Sequence, residues 1–273
     1  MASDPDVKWL LEPDVFEGEE QPIIVALEKL GFEYEAVKFG TSYEDYLKSF
    51  KDTDCVVFHG SLQFGRLLQR ESKWIPGVYC NLPKFECTYY YPRLGRFLLN
   101  EDYVMLPFGD LNRRKEWLFE TFGDAEFFVR PSSGFKTFTG KVVTSKEWDE
   151  DIRLLGFYDI PTEAIVIAAP YYEIVKEWRL LVVDNRVVTA SLYKSKERPA
   201  PPEEVLEYGQ QVLDESDYNP DPVWVLDVCQ IANGGFRVVE GGSFSCCGLY
   251  NCDPEVIVKE VSRVAKREWE DFQ

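Results

Sequence analysis

Residues 227–242 read DVCQIANGGFRVVEGG, two strand-like runs on either side of the pair Asn233-Gly234. Asn and Gly accept the positive φ angles of a two-residue hairpin loop, so the stretch predicts a β-hairpin. Counting outward from a regular loop pairs Ala232 with Gly235 and Ile231 with Phe236, and it sets Asp227 directly opposite Glu240. Opposed residues project from one face of a sheet, and two carboxylates so placed repel each other. A divalent cation between them removes that penalty. Mg2+ takes carboxylate oxygens and fills its octahedron with water and phosphate oxygens, which points to a phosphorylated substrate. In this register Arg237 faces away from Asp227, and a turn slipped by one residue would reverse that.

The cations that phosphates require lie upstream. In FVRPSSGFKTFTGK (128–141), Arg130, Lys136 and Lys141 lie on or beside a predicted hairpin whose Gly134 and Gly140 allow close backbone approach. Loop amides beside cations suit phosphate oxygens. Arg130 follows the apolar FFV and is hard to read as surface decoration, whereas Lys141 reads equally well as a solvated charge. In EWRLLVVDNRVVTASLY (177–193), Glu177 and Arg179 are two apart and share a face. They form either an ion pair on an edge strand or a carboxylate for a ribose hydroxyl beside an arginine for phosphate or an acidic substrate.

Around these pieces the pattern alternates. A helix is predicted from Glu19 to Leu30, a strand over 32–39, a buried strand Cys55–Phe58, a helix in SLQFGRLLQRE and a short strand at 77–81, together a small parallel α/β unit. From about residue 103 the character changes to α+β. YVMLPFG reads as a strand, NRRKEWLFETFG as a helix, 126–143 as two strands, and Ser145 to about Leu155 as a helix with Ser145 at its N-cap. EAIVIAAP is a strand stopped by Pro170, 177–193 a hairpin about Asp184-Asn185, PPEEVLEYGQQVLDES a Pro-initiated helix, and Asp253–Phe272 a closing amphipathic helix.

The formal charge of −18 over 273 residues argues against nucleic acid as a partner, because backbone phosphates are met with Lys and Arg. No stretch reaches the ~20 apolar residues of a membrane span, and MASDPDVKW lacks the form of a signal peptide, so the expectation is a cytoplasmic protein with no membrane partner. Seven cysteines without CxxC spacing read as free thiols, and Cys246, Cys247 and Cys252 as small buried hydrophobes rather than metal ligands. His59, the single histidine, ends a predicted parallel strand, where open sheets often place ligands; a structural histidine is the favoured reading. The tyrosines of CTYYYPRLGRF read as packing on a helix.

The order of the three segments resembles the ATP-grasp superfamily, in particular small ATP-grasp domain proteins of carboxylate-amine ligase type. FVRPSSGFKTFTGK, EWRLLVVDNRVVTASLY and DVCQIANGGFRVVEGGSFSCCGLY (227–250) stand in the order and spacing of that core. The resemblance covers about residues 95–271. It implies an ATP-grasp fold at 95–273 preceded by an N-terminal α/β pre-grasp domain at 1–94, hence α/β and α+β together. It also implies ATP and Mg2+ as cofactors. Position by position, Arg130 stands where a nucleotide-binding Lys is usual, Lys136 lies in the phosphate loop, and Ile167, Ala168 and Ala169 match the hinge that offers backbone groups to adenine. Glu177 matches the ribose carboxylate, Asp227 and Glu240 the metal ligands, and Arg179 and Lys136 the cations that stabilise phosphoryl transfer. The usual third metal ligand, an Asn two residues after the Glu, is Gly242 here, leaving Ser243, Asn251 or water to complete the coordination.

The implied reaction is an ATP-dependent ligation through an acyl phosphate, joining a small-molecule or peptide carboxylate to an amine-bearing acceptor. The alternatives are an ATP-dependent phosphotransferase and a non-catalytic nucleotide-binding regulatory protein. Oligomeric state is left open by the sequence.

Overall fold

The computed structural model describes residues 7–16, 20–38, 42–123, 125–134, 137–156, 159–193, 195, 199–232 and 235–272. Its first strand, β1 (Val7–Leu11), is one that the sequence pattern did not reveal. Five residues with Lys8 in second place carry too little periodicity, yet β1 takes the interior of a parallel sheet ordered β2-β1-β3-β4. Its neighbours are β2 (Glu33–Ala36) and β3 (Cys55–His59), with β4 (Ile75–Gly77) beyond. Lys8 survives there by pairing with Asp54 at 2.9 Å and Glu33 at 3.4 Å.

The strand expected at 77–81 lies two residues earlier. Tyr79 donates its amide to Ser245 Oγ and accepts from the Ser245 amide, so this segment is held by the 243–250 loop rather than by β3. One face of the sheet packs on α1 (Glu20–Leu30) and on the C-terminal helix (Pro254–Phe272), through Trp9, Leu11 and Val57 against Leu27, Val261 and Ala265. The other packs on α2 (Leu62–Glu71), through Leu10, Val56 and Phe58 against Phe64 and Leu68. A parallel sheet covered on both faces explains the continuous apolar run of β3.

A second sheet, ordered β5-β8-β6-β7, is antiparallel: β5 (Val104–Pro107), β8 (Ile165–Ala169), β6 (Glu126–Pro131) and β7 (Lys141–Thr144). The single helix expected in NRRKEWLFETFG is two, Asp110–Arg113 and Lys115–Phe122, broken at Arg114. The helix expected from Ser145 begins at Trp148, because the Ser145 amide extends the sheet to Ala125 and Thr144 Oγ1 accepts from Glu147. Lys141 forms an ion pair with buried Asp151 at 2.7 Å, which gives it a structural partner away from any ligand.

The third sheet, ordered β10-β9-β11-β12, comprises β9 (Ile174–Val183), β10 (Arg186–Leu192), β11 (Val223–Ile231) and β12 (Phe236–Ser243). Asp184 and Asn185 have φ of 49° and 60°, the left-handed pair that a two-residue hairpin turn requires. Trp178, Leu180, Val182, Trp224 and Leu226 point to a helix at Glu203–Glu215, while Leu181, Val183, Val223 and Val225 join the core around the C-terminal helix. That helix therefore lies in the same core as the parallel sheet and the third sheet. The chain combines α/β and α+β architecture, as the sequence predicts, and the boundary expected at residue 94 falls at the end of a helix, Cys87–Leu94.

Candidate functional site

The face of β9 and β11 that is apolar over Leu181, Val183, Val223 and Val225 becomes polar further along, at Arg179 and Asp227. Arg179 on β9, Asp227 on β11 and Glu240 on β12 lie in one row across three strands. The opposition of Asp227 and Glu240 is as expected, but the path to it is not. Near the turn the pairs are Gln230 with Phe236, Cys229 with Arg237 and Val228 with Val238, one residue out of step with a two-residue loop. A bulge at Val239 restores the register before Glu240. Asn233-Gly234 itself lies outside the described residues.

The bulge has two consequences. Arg237, expected on the opposite face, stands across from Cys229 and so shares the face of Asp227, with Glu177 on the other side of Cys229. Turn length was the signal that would have found it. The bulge also turns the Val239 carbonyl toward the second sheet, where Arg130 Nη1 reaches it at 3.3 Å.

Each carboxylate of the row faces an arginine. Asp227, 1 % exposed, accepts from Arg179 Nε at 2.8 Å and Nη2 at 2.6 Å, while Arg179 Nη1 donates to the Gly248 carbonyl at 2.6 Å. β9 lies between β10 and β11, so Arg179 is not on an edge strand and its ion-pair partner is Asp227. Burial opposes the guanidinium charge, and Asp227 outweighs it, holding the Arg179 pKa well above the ordinary value. The rings of Tyr193 and Tyr250 flank this guanidinium at 5.6 and 5.0 Å. Arg130, from β6, donates through Nη2 to Glu240 Oε2 at 2.5 Å, both side chains being largely buried.

These groups open onto a cavity of about 340 Å³ between the second and third sheets. Arg130, Arg179, Glu240 and Gly242 line it together with Ser133 and Gly134 from the start of the expected phosphate loop. Lys136 lies outside the described residues. Cys246 and Cys247 form part of the wall, where the Cys246 thiol hydrogen-bonds that of Cys80; this bond pushes the Cys80 pKa down and the Cys246 pKa up.

Other expected residues lie elsewhere. Ile167 and Ala168 are fully buried in β8, flanked by Met105 and Val104 on one side and by Arg130 and Val129 on the other. Their backbone belongs to the sheet interior, and the chain leaves it after Ala169, through Pro170 to the exposed Tyr171 and Tyr172. A hinge that offers backbone groups to adenine therefore fits the segment following Ala169 better than Ile167–Ala169 itself.

The donor set fits a hard cation only in company. Asp227 and Glu240 supply carboxylate oxygens on neighbouring strands, Gly242 supplies none, and Asn251 is tied to the Ser195 carbonyl at 2.8 Å. Among the described residues no group of three or more His, Cys, Asp and Glu is placed to hold a metal. Mg2+ held by Glu240 and Asp227 would complete its octahedron with water and phosphate oxygens, which is its usual habit.

His59 is fully buried at the end of β3, with Nε2 3.0 Å from the Cys247 carbonyl and its ring against Phe16 and Phe244. Burial lowers its pKa to about 4, so the folded protein holds it neutral. Because the folded pKa lies below the unfolded one, the unfolded chain binds the proton more readily between pH 6.5 and 4, and stability falls as pH falls through that window. His59→Gln keeps a donor for Cys247 without the titration. Between pH 7 and pH 5 the wild type should lose about 2 kcal/mol more stability than this variant in urea unfolding. Equal losses would mean that His59 is protonated in the fold.

Two four-stranded antiparallel sheets with guanidinium and carboxylate groups converging between them define a nucleotide-grasping architecture. Residues 110–259, more than half of the chain, match the model of an ATP-grasp domain family, the second family of its clade, and the chain belongs to that family. Solved structures agree on the fold. D-cycloserine synthetase DcsG superposes with a TM-score of 0.65 at 13% identity, covering 95% of this chain and 99% of that one. The N5-carboxyaminoimidazole synthetase of Staphylococcus aureus, complexed with ADP, gives 0.62 at 12% identity, covering 96% and 78%. The ATP-grasp ligase PsnB, complexed with a minimal precursor, gives 0.60 at 14% identity, covering 96% and 99%. No curated protein sequence matches the chain. Among the described residues no helix is long and apolar enough to cross a membrane.

Proposed function

We propose that the chain is an ATP-dependent ligase that joins a carboxylate to an amine or similar nucleophile through an acyl phosphate. The observation that carries this reading is the convergence of Arg130, Arg179 and Glu240, from strands of two different sheets, on one cavity. A carboxylate oxygen of the substrate attacks the γ-phosphorus of ATP, the bond from phosphorus to the ADP oxygen breaks, and the amine then displaces inorganic phosphate from the acyl phosphate. Arg130 and Arg179 would meet the phosphoryl charge, with Lys136 added from the phosphate loop. Mg2+ bound at Glu240 and Asp227 would neutralise phosphate oxygens. Glu177 and Arg237, on the same face two residues further along the sheet, are placed for the ribose and the inner phosphates. The named ligands of PsnB and DcsG make a peptide or a small amino-acid derivative the first carboxylates to try.

Calorimetry with ATP, with and without Mg2+, tests the nucleotide reading. Binding in the micromolar to low-millimolar range is expected, and no heat at millimolar nucleotide with a folded protein would defeat it. Gly242 favours one second reading, a nucleotide-binding regulatory protein with reduced metal competence. Release of ADP and phosphate only when carboxylate and amine are both present separates the ligase from that reading, and a phosphorylated single acceptor would indicate a phosphotransferase.

A further inference from the structure

The four charges at the centre of the site are balanced before any ligand arrives. Arg179 takes both oxygens of Asp227, and Arg130 takes Glu240, so two guanidinium charges meet two carboxylate charges within one buried row. A divalent cation approaching alone finds no net negative charge to draw it. It would also have to displace a guanidinium from a carboxylate in a largely desolvated place, where such pairs are hard to break singly. Nucleotide phosphates change this balance, because they offer Arg130 a competing anion and bring further oxygens for the metal.

We propose that Arg130 is the internal counter-ion of the cation site: it closes Glu240 to divalent metal until nucleotide phosphates draw the guanidinium away, so that metal enters with the nucleotide and not before it. This rests on the nucleotide reading above. Arg130 suits the task by position. It comes from the second sheet, whereas Glu240 belongs to the third, and its other anchor is the Val239 carbonyl freed by the bulge. The pair thus spans the two sheets that a nucleotide would lie between, and exchange of partners there needs only a side-chain movement. Arg179, held at three points by Asp227 and Gly248, stays where it is.

Manganese titration of the full chain, read as loss of the electron paramagnetic resonance signal of hydrated Mn2+, tests this without turnover. Without nucleotide, wild type and Glu240→Gln should take up Mn2+ equally weakly. With saturating ADP, the wild type should bind it at least about tenfold more tightly than Glu240→Gln. Arg130→Gln without nucleotide should bind Mn2+ at least about tenfold more tightly than wild type, a gain lost in the Arg130→Gln/Glu240→Gln double variant, and Arg130→Lys should behave as wild type. Tighter Mn2+ binding by wild type than by Glu240→Gln in the absence of nucleotide would overturn the proposal, as would no gain in a folded Arg130→Gln. Should Arg130→Gln not fold, the comparison of wild type with Glu240→Gln decides alone. Calorimetry with ADP and no metal runs in parallel. A protein that does not bind ADP fails the nucleotide reading, whereas one that binds ADP and also free Mn2+ through Glu240 keeps that reading and fails the counter-ion role.

Discussion

Glu240→Gln is expected to lower metal-dependent turnover by about two orders of magnitude while leaving the fold intact. Gln keeps the shape of the side chain and an acceptor for Arg130, but it removes the charge that a hard cation and its phosphate ligands require. Stability should fall by about 1–3 kcal/mol, because Arg130 loses its ionic partner in a place that water reaches poorly. On sequence alone two facing carboxylates should repel, and neutralising one could have stabilised the protein. The structure removes that expectation, since the nearest charge to Glu240 is the Arg130 guanidinium at 2.5 Å. Steady-state rates at limiting and saturating Mg2+, with a thermal melt of each protein, check both parts. Equal rates at both metal levels would show that Glu240 is no metal ligand.

Asp227→Asn should have the largest effect on stability of any single substitution in the site. The change leaves the Arg179 guanidinium, 5 % exposed, without its counter-charge and with one acceptor where it had two. Breaking one side of a buried ion pair costs about 3–5 kcal/mol, which for a chain of this size lowers Tm by roughly 10 °C. A carboxylate whose task was only to await a cation would behave otherwise, and its neutralisation would leave Tm unchanged or raise it. Differential scanning calorimetry distinguishes the two, and an unchanged Tm would mean that the Arg179–Asp227 pair contributes little to the fold. Loss of turnover alone would not settle the point, because Arg179 also lines the cavity and its displacement would disturb the site directly.

Turn residues and two-residue alternation are local signals, and through them the sequence by itself determined the hairpins at 177–193 and 227–242, the helices at 62–71, 203–215 and 254–272, and the sharing of one face by Glu177 and Arg179. The order of three such segments was enough to indicate the superfamily. Even the opposition of Asp227 and Glu240 was legible, although the regular ladder used to reach it holds only beyond the bulge at Val239. What only the tertiary structure decided is long-range. β1 is a strand because β2 and β3 lie beside it, 77–81 is not one because Ser245 takes the Tyr79 amide, and Arg237 changes face because the turn is a residue longer than Asn-Gly alone suggested. The partners of the two carboxylates belong to the same category. Arg179 meets Asp227 through a strand pairing across 48 positions, and Arg130 meets Glu240 across 110 and between two sheets. Periodicity specifies which way a side chain points from its own strand; which charge stands opposite it depends on how the sheets are brought together, and burial of that charge then sets the strength of the pair.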